Sequence, residues 1–394
     1  MQKVNYQEQP KLWTRDFILI CLATFFIFCA FQILMPILPK YVQSLGADEK
    51  LIGLISGVFT ITALISRPFI GRELDRGGRR SIYLLGLIIF FLAVLGYLWA
   101  PTLLVLLAFR FVHGVGWAGA STAAGTIVAD IVPPSRRGEG MGYYGVASTL
   151  AMAIAPALGL TLLVKFDYSL IFILSLVLTA GAFLIGRIIA IAPPTKPQQE
   201  TKKTALFDLR ALRPSLVMLF MTLPYGGLVT FLPIYAAKLG MENIGPFFTI
   251  YAIGLLITRP LAGKYYDRRG PNIIVSVGMI AMFLGTFILG NSSVFSVFLV
   301  CGFLYGIGFG SVQPTLLALA LEGVEPQKRG SINGTVFSAF DLGIGIGSVL
   351  LGVVADSFGF TIMYTIASIA PLAGLALFFL WPKKLVKNNE KVKS

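Results

Sequence analysis

Twelve long apolar runs leave this chain few folds to choose from. They lie at about residues 17–39, 50–70, 81–99, 103–129, 140–164, 168–191, 214–236, 245–263, 273–290, 294–321, 331–354 and 360–381. Crossing roughly 30 Å of hydrocarbon at about 1.5 Å per residue takes about 20 apolar residues. Lipid gives backbone N–H and C=O groups no partner, so a spanning segment must be a helix or part of a closed barrel. A barrel is written in short alternating segments, which this sequence does not show. The predicted fold class is all-α integral membrane with twelve transmembrane helices. Charged residues make up 13% of the chain and mean hydropathy is +0.82, against roughly 25% charged in a soluble domain. The first 16 residues are polar, and the first apolar run exceeds the h-region of a cleavable signal, so it is expected to remain as a helix.

The basic residues set orientation. Of 32 Lys and Arg, 24 fall in the two ends and the even-numbered connections, against four (Lys40, Lys50, Lys165, Lys238) on the other side. By the positive-inside rule both termini are cytoplasmic, which requires an even number of spans. The formal net charge of +14 sits in short clusters between apolar runs, so anionic membrane lipids and not nucleic acid are the expected polyanionic partner. Cys21, Cys29 and Cys301 lie in apolar stretches without metal-ligand spacing and read as small core hydrophobes.

The sequence repeats with a shift of 192 residues and no gap. SRPFIGRELDRGG at 66–78 lies over TRPLAGKYYDRRG at 258–270, so Arg67 meets Arg259 and Asp75 meets Asp267. Farther on, Gly114 and Gly116 meet Gly306 and Gly308, Asp130 meets Glu322, and Arg137 meets Arg329. The shift crosses six runs, an even number, so both halves have the same orientation. The expected organisation is a six-helix bundle at 1–191, a polar, Pro-rich, basic linker at 192–213, and a second six-helix bundle with a basic tail at 214–394.

Gly71-Arg-Glu-Leu-Asp75-Arg76-Gly-Gly78-Arg79-Arg80 resembles the GxxxD(R/K)xGR(R/K) signature of the major facilitator superfamily, and it falls in the required place between spans 2 and 3. Arg110-Phe-Val-His113-Gly114-Val-Gly116-Trp-Ala118 is similar to the RxxxGxGxA motif of proton-coupled members, and Pro36-Ile-Leu-Pro39 to the PxxP feature of the drug-efflux branch. In span 5 the stretch Ala155-Pro156-Ala157-Leu158-Gly159-Leu160 departs from the GPxxGG ending of the antiporter motif. The resemblance implies two parallel six-helix bundles with a substrate site near the midplane between them.

It also implies a cytoplasmic gate that latches the two halves. Its members here are Gly71, Asp75, Arg76, Gly78, Arg79, Arg80, Asp130 and Arg137 in the first half, and Gly263, Asp267, Arg268 and Gly270 in the second. A carboxylate beside a short turn can cap a helix N-terminus and pair with Arg, which is the chemistry a latch needs.

Features shared by both halves are assigned to scaffold. Polar groups present in one half only are the candidates for substrate or proton work. The shift sets Arg110 against Gly302, His113 against Tyr305, and Asp341 against Thr149. All three lie inside apolar runs, where an ionisable group is functional by default unless it faces only a structural partner. His113, the single histidine, can exchange a proton near neutral pH or simply be hydrogen-bonded within a helix. Asp341 is the alternative proton carrier, or a partner for a buried Arg. Arg110 can hold an anionic substrate group. Gln32, Gln313, Asn333 and the aromatic residues Phe28, Phe31, Trp117, Tyr225, Tyr251 and Tyr305 are candidate cavity lining, with plain interhelical packing as the other reading.

The expected function is secondary active transport: proton-coupled efflux of a small amphipathic drug or metabolite, by a monomer in the plasma membrane. The alternative is an uncoupled or import-type transporter of a sugar or organic anion. Neither an enzyme nor a cofactor or metal site is expected, because the spans bring no nucleophile, acid pair or His/Cys cluster together.

Overall fold

A computed structural model describes residues 11–75, 78–100, 102–133, 136–190, 211–322 and 329–381. Its described residues form eleven helices, all long and apolar enough to cross a membrane. They are α1 (Arg15–Ser44), α2 (Glu49–Asp75), α3 (Arg79–Tyr97), α4 (Leu103–Ile131), α5 (Arg137–Leu163), α6 (Tyr168–Ile188), α7 (Leu212–Lys238), α8 (Gly245–Arg269), α9 (Asn272–Gly290), α10 (Phe295–Leu321) and α11 (Arg329–Leu380). Helix starts are written locally. The Thr14 and Thr102 hydroxyls accept from the Phe17 and Val105 amides, and the Asp48 carboxylate accepts from Leu51 N–H, each satisfying a donor with no partner inside its helix.

The element count is eleven where the sequence predicts twelve spans. The two runs expected at 331–354 and 360–381 fall in the one 52-residue element α11, interrupted at Gly359 (φ 82°, ψ 170°). Glycine tolerates this positive φ because it has no Cβ. A straight helix of that length would run about 78 Å. Packing shows that α11 does not run straight. A Cβ on Gly343 would lie 2.6 Å from the Leu219 carbonyl oxygen, and one on Gly374 would lie 2.9 Å from Phe220 Cβ. Positions separated by about 46 Å of straight helix therefore touch adjacent residues of α7, so the chain doubles back at Gly359.

Helices α1 to α6 pack together, as do α7 to α11, and the two groups meet through α2 with α11, α5 with α8, and α1 with α7. These seams close at the end where α2 and α8 begin and α7 finishes. There Gly53 and Gly57 of α2 bring its backbone against Ser348 and Val349 of α11. A Cβ on Gly53 would sit 2.3 Å from the Ser348 carbonyl oxygen, so only glycine permits the approach. The Thr230 hydroxyl lies 3.1 Å from that of Ser348 and 3.4 Å from that of Ser56, and Lys238 Nζ pairs with Glu49 at 2.6 Å. Small residues with hydroxyl cross-bonds are the usual adhesive where lipid removes the hydrophobic drive between helices.

Candidate functional site

Three polar groups lie at depth in the bundle, and they differ in where the helices aim them. The first is sealed inside the first half. Arg110 on α4 is 3% exposed; its Nε donates to the Ile55 carbonyl at 3.2 Å and its guanidinium lies 4.4 Å over the Phe59 ring. His113, one turn on, is fully buried, with Nδ1 2.8 Å from the Tyr97 hydroxyl. The rings of Phe90 and Phe59 stand edge-on to it at 4.2 and 5.1 Å. Both residues thus find these partners on α2 and α3 of their own half. Phe31 stacks on Trp117 at 4.1 Å, with Phe28 against the same indole at 4.8 Å; Gln32, on the same helix α1, is buried.

The second group lies in the other half. Tyr225, Tyr251 and Tyr305 are each 4% exposed or less and cluster with ring centroids 6.3 Å apart, Phe309 packing on Tyr225 at 4.8 Å. These aromatic residues, like the Phe31–Trp117 set, are packed against each other and not spread over an open wall.

The third group joins the halves at mid-depth. Arg67 of α2 reaches Asp341 of α11, Nη2 to Oδ2 at 2.8 Å, an ion contact without hydrogen-bond alignment at that oxygen. Its Nη1 donates to the Thr122 hydroxyl of α4 at 3.3 Å. Across the bundle, Arg259 of α8 donates to the Thr149 hydroxyl of α5, and to Gln313 Oε1 of α10 at 3.3 Å. Arg259 stands ten residues, about 15 Å, from the basic end of its helix, and Asp341 twelve residues, about 18 Å, from the start of α11.

The structure therefore joins Asp341 to Arg67, and joins Gln313 to Arg259, while Arg110 and His113 stay apart from both. The repeat places Arg67 and Arg259 with the scaffold because it supplies both. The signal that separates them is one step away: residue 341 falls on residue 149 under the same shift, so the two arginines meet different partners. The side chain of Asn333 lies outside the described residues.

The first-half gate residues with described polar side chains bond within that half. Arg79 pairs with Asp130 of α4 and donates to the Leu74 carbonyl at 3.0 Å, and Arg80 donates to the Arg187 carbonyl at the end of α6. Around Gly71 and Gly263 there is open space, Gly78 backs onto the Glu73 carbonyl, and Gly270 ends α8 with φ 74°. Arg268 is exposed. Arg76 and the side chains of Asp75, Arg137 and Asp267 lie outside the described residues.

A multi-pass helical membrane protein whose two halves meet along charged and polar side chains at mid-depth has the build of a small-molecule transporter. The chain belongs to the Major Facilitator Superfamily, whose sequence model matches residues 20–247 and 242–394. It is 28% identical to the staphylopine export protein of Staphylococcus aureus, over 92% of this chain and 95% of that one. It is 24% identical to multidrug resistance protein 2 of Bacillus subtilis, over 97% and 98%. Among solved structures, the nucleoside transporter NupG superposes with a TM-score of 0.73 at 15% identity, over 93% of this chain and 99% of that one.

Proposed function

We propose that the protein is a proton-coupled exporter of a small amphipathic drug or metabolite, a plasma-membrane monomer that works by alternating access. Its twelve passes count the two arms of α11 separately, and both termini are cytoplasmic. On that orientation the end closed by Gly53, Gly57 and the Lys238–Glu49 pair faces outward. The export direction is supported by the relatives named above.

The observation that carries the reading is the Arg67–Asp341 pair, held across the two halves with side chains 23% and 19% exposed. Protonating Asp341 removes its charge and leaves Arg67 without a counter-ion. Breaking a buried pair from one side costs about 3–5 kcal/mol, enough to shift a two-state equilibrium by two orders of magnitude or more. A proton arriving at Asp341 would thus release the α2–α11 seam and let the halves rock about the site.

The test is dye flux in proteoliposomes with an imposed pH gradient. Flux should follow the gradient in the wild type and lose that dependence in Asp341→Asn. Flux indifferent to the gradient in the wild type would move the protein to the alternative, uncoupled class.

A further inference from the structure

Arg67 and Arg259 occupy equivalent positions of the repeat, yet only one has an acid. Arg67 is neutralised by Asp341. The position equivalent to Asp341 in the first half is 149, where the chain has threonine. Arg259 meets that threonine and the neutral Gln313. Among the described residues, no acidic side chain lies within ion-pair range of it. An uncompensated guanidinium half-buried at mid-depth is costly and calls for an anion. We propose that Arg259, with Thr149 and Gln313, is the anchor for a carboxylate on the transported molecule, which takes the place that Asp341 fills beside Arg67. This deepens the reading of the protein as an exporter, and rests on it, by assigning the substrate class: a small amphipathic carboxylate or zwitterion.

The local geometry fits that use. Arg259 spends two of its five N–H donors on the two neutral acceptors, leaving donors for the paired hydrogen bonds that a guanidinium offers a carboxylate. The Thr149 hydroxyl donates to the Gly145 carbonyl at 2.8 Å, so its oxygen presents lone pairs to Arg259 and holds the guanidinium in place. Gln313 accepts through Oε1 and keeps its amide N–H groups for an incoming oxygen. Phe309, one turn from Gln313 on α10, begins the aromatic cluster that includes Tyr225, Tyr251 and Phe340, an apolar neighbour for the rest of the molecule. Charge agrees as well. With Arg67 and Asp341 cancelling and Arg110 sealed away, the mid-depth interface carries one net positive charge among the described residues, which a monoanionic group neutralises.

Equilibrium binding to the purified full chain, with no gradient, tests this with three probes on one skeleton: 1-naphthoate, 1-naphthamide and 1-naphthylmethylamine. Calorimetry and thermal unfolding should show naphthoate bound at least about tenfold more tightly than the amide, the order expected of one charge-assisted pair. Arg259→Gln should erase the preference and Arg259→Lys should keep part of it. Thr149→Asp, which supplies its own carboxylate to Arg259, should erase the preference while raising the unfolding temperature. This second variant decides the matter if Arg259→Gln fails to fold. Equal binding of naphthoate and amide to the wild type, a preference surviving in Arg259→Gln, or unchanged naphthoate affinity in Thr149→Asp each overturns the proposal. Since no proton gradient is involved, failure of coupling in the flux assay leaves this result standing, and failure here leaves the coupling result standing.

Discussion

Arg67 and Arg259 come from one repeated segment, S/T-R-P, yet they end in different chemistry. The first is clasped by a carboxylate, the second by a hydroxyl and an amide. An ion pair across a seam can be undone by a proton; a hydrogen bond to threonine cannot. The repeat thus supplies two equivalent arginines, and a different residue at one partner position leaves one of them in an ion pair across the seam and the other bonded to neutral acceptors. Arg110 and His113 stand as the contrast: ionisable groups whose described polar partners, the Ile55 carbonyl and the Tyr97 hydroxyl, lie on α2 and α3 of their own half.

Removing Asp341 should do the most to break this comparison. Asp341→Ala leaves Arg67 half-buried without its counter-ion and should cost about 3–5 kcal/mol, read as a fall in thermal unfolding temperature. Adding Arg67→Gln to it should recover much of the loss. No recovery in the double variant would mean that the pair is not what holds this seam.

Gly53→Ala should come next. Its Cβ would meet the Ser348 carbonyl at 2.3 Å, and such overpacking costs about 1–3 kcal/mol. The α2–α11 seam would be pushed open, so a cysteine placed at Ser56 should label faster from the side where α2 begins. Unchanged labelling would show that the α2–α11 approach does not seal this end.

His113→Phe sharpens the contrast between sealed and interfacial groups. Losing the Tyr97–His113 hydrogen bond in the core, with Arg110 still beside the Tyr97 hydroxyl, should cost about 0.5–1.5 kcal/mol, while gradient-driven flux keeps its pH dependence. A pH profile that shifted with His113 would move the proton site into the first half.

Lys238→Ala should matter least. The lysine side chain is 54% exposed in its pair with Glu49, and exposed pairs contribute about 0–1 kcal/mol. A loss larger than this, or one insensitive to added salt, would show the rim pair to be part of the seal.

Much of the fold was legible because lipid makes a simple demand. Every backbone polar group must be satisfied within its own segment, so length and apolarity announce a helix before any partner is known. The gap-free shift of 192 residues exposed the duplicated halves, and the run Gly71 to Arg80 pointed to the family. The site was less legible. Asp341 stood out because nothing matches it in the first half, but Arg67 and Arg259 were hidden by their own symmetry. The last connection was legible as a break, the five residues 355–359 between two apolar runs, and packing against α7 decided that the chain doubles back at Gly359.

The sequence by itself determined that this chain forms apolar helices long enough to cross a membrane and that its halves repeat with a shift of 192 residues. Those properties depend on each segment and its solvent. Which ionisable group meets which was decided only in three dimensions. That depends on how each helix is rotated and how closely it approaches its neighbours, and close approach is governed by glycines such as Gly53, Gly343 and Gly347 that admit another backbone within van der Waals contact. One such packing seals His113 inside the first half, brings Asp341 to Arg67 across the seam, and leaves Arg259 facing a threonine where its counterpart faces an acid.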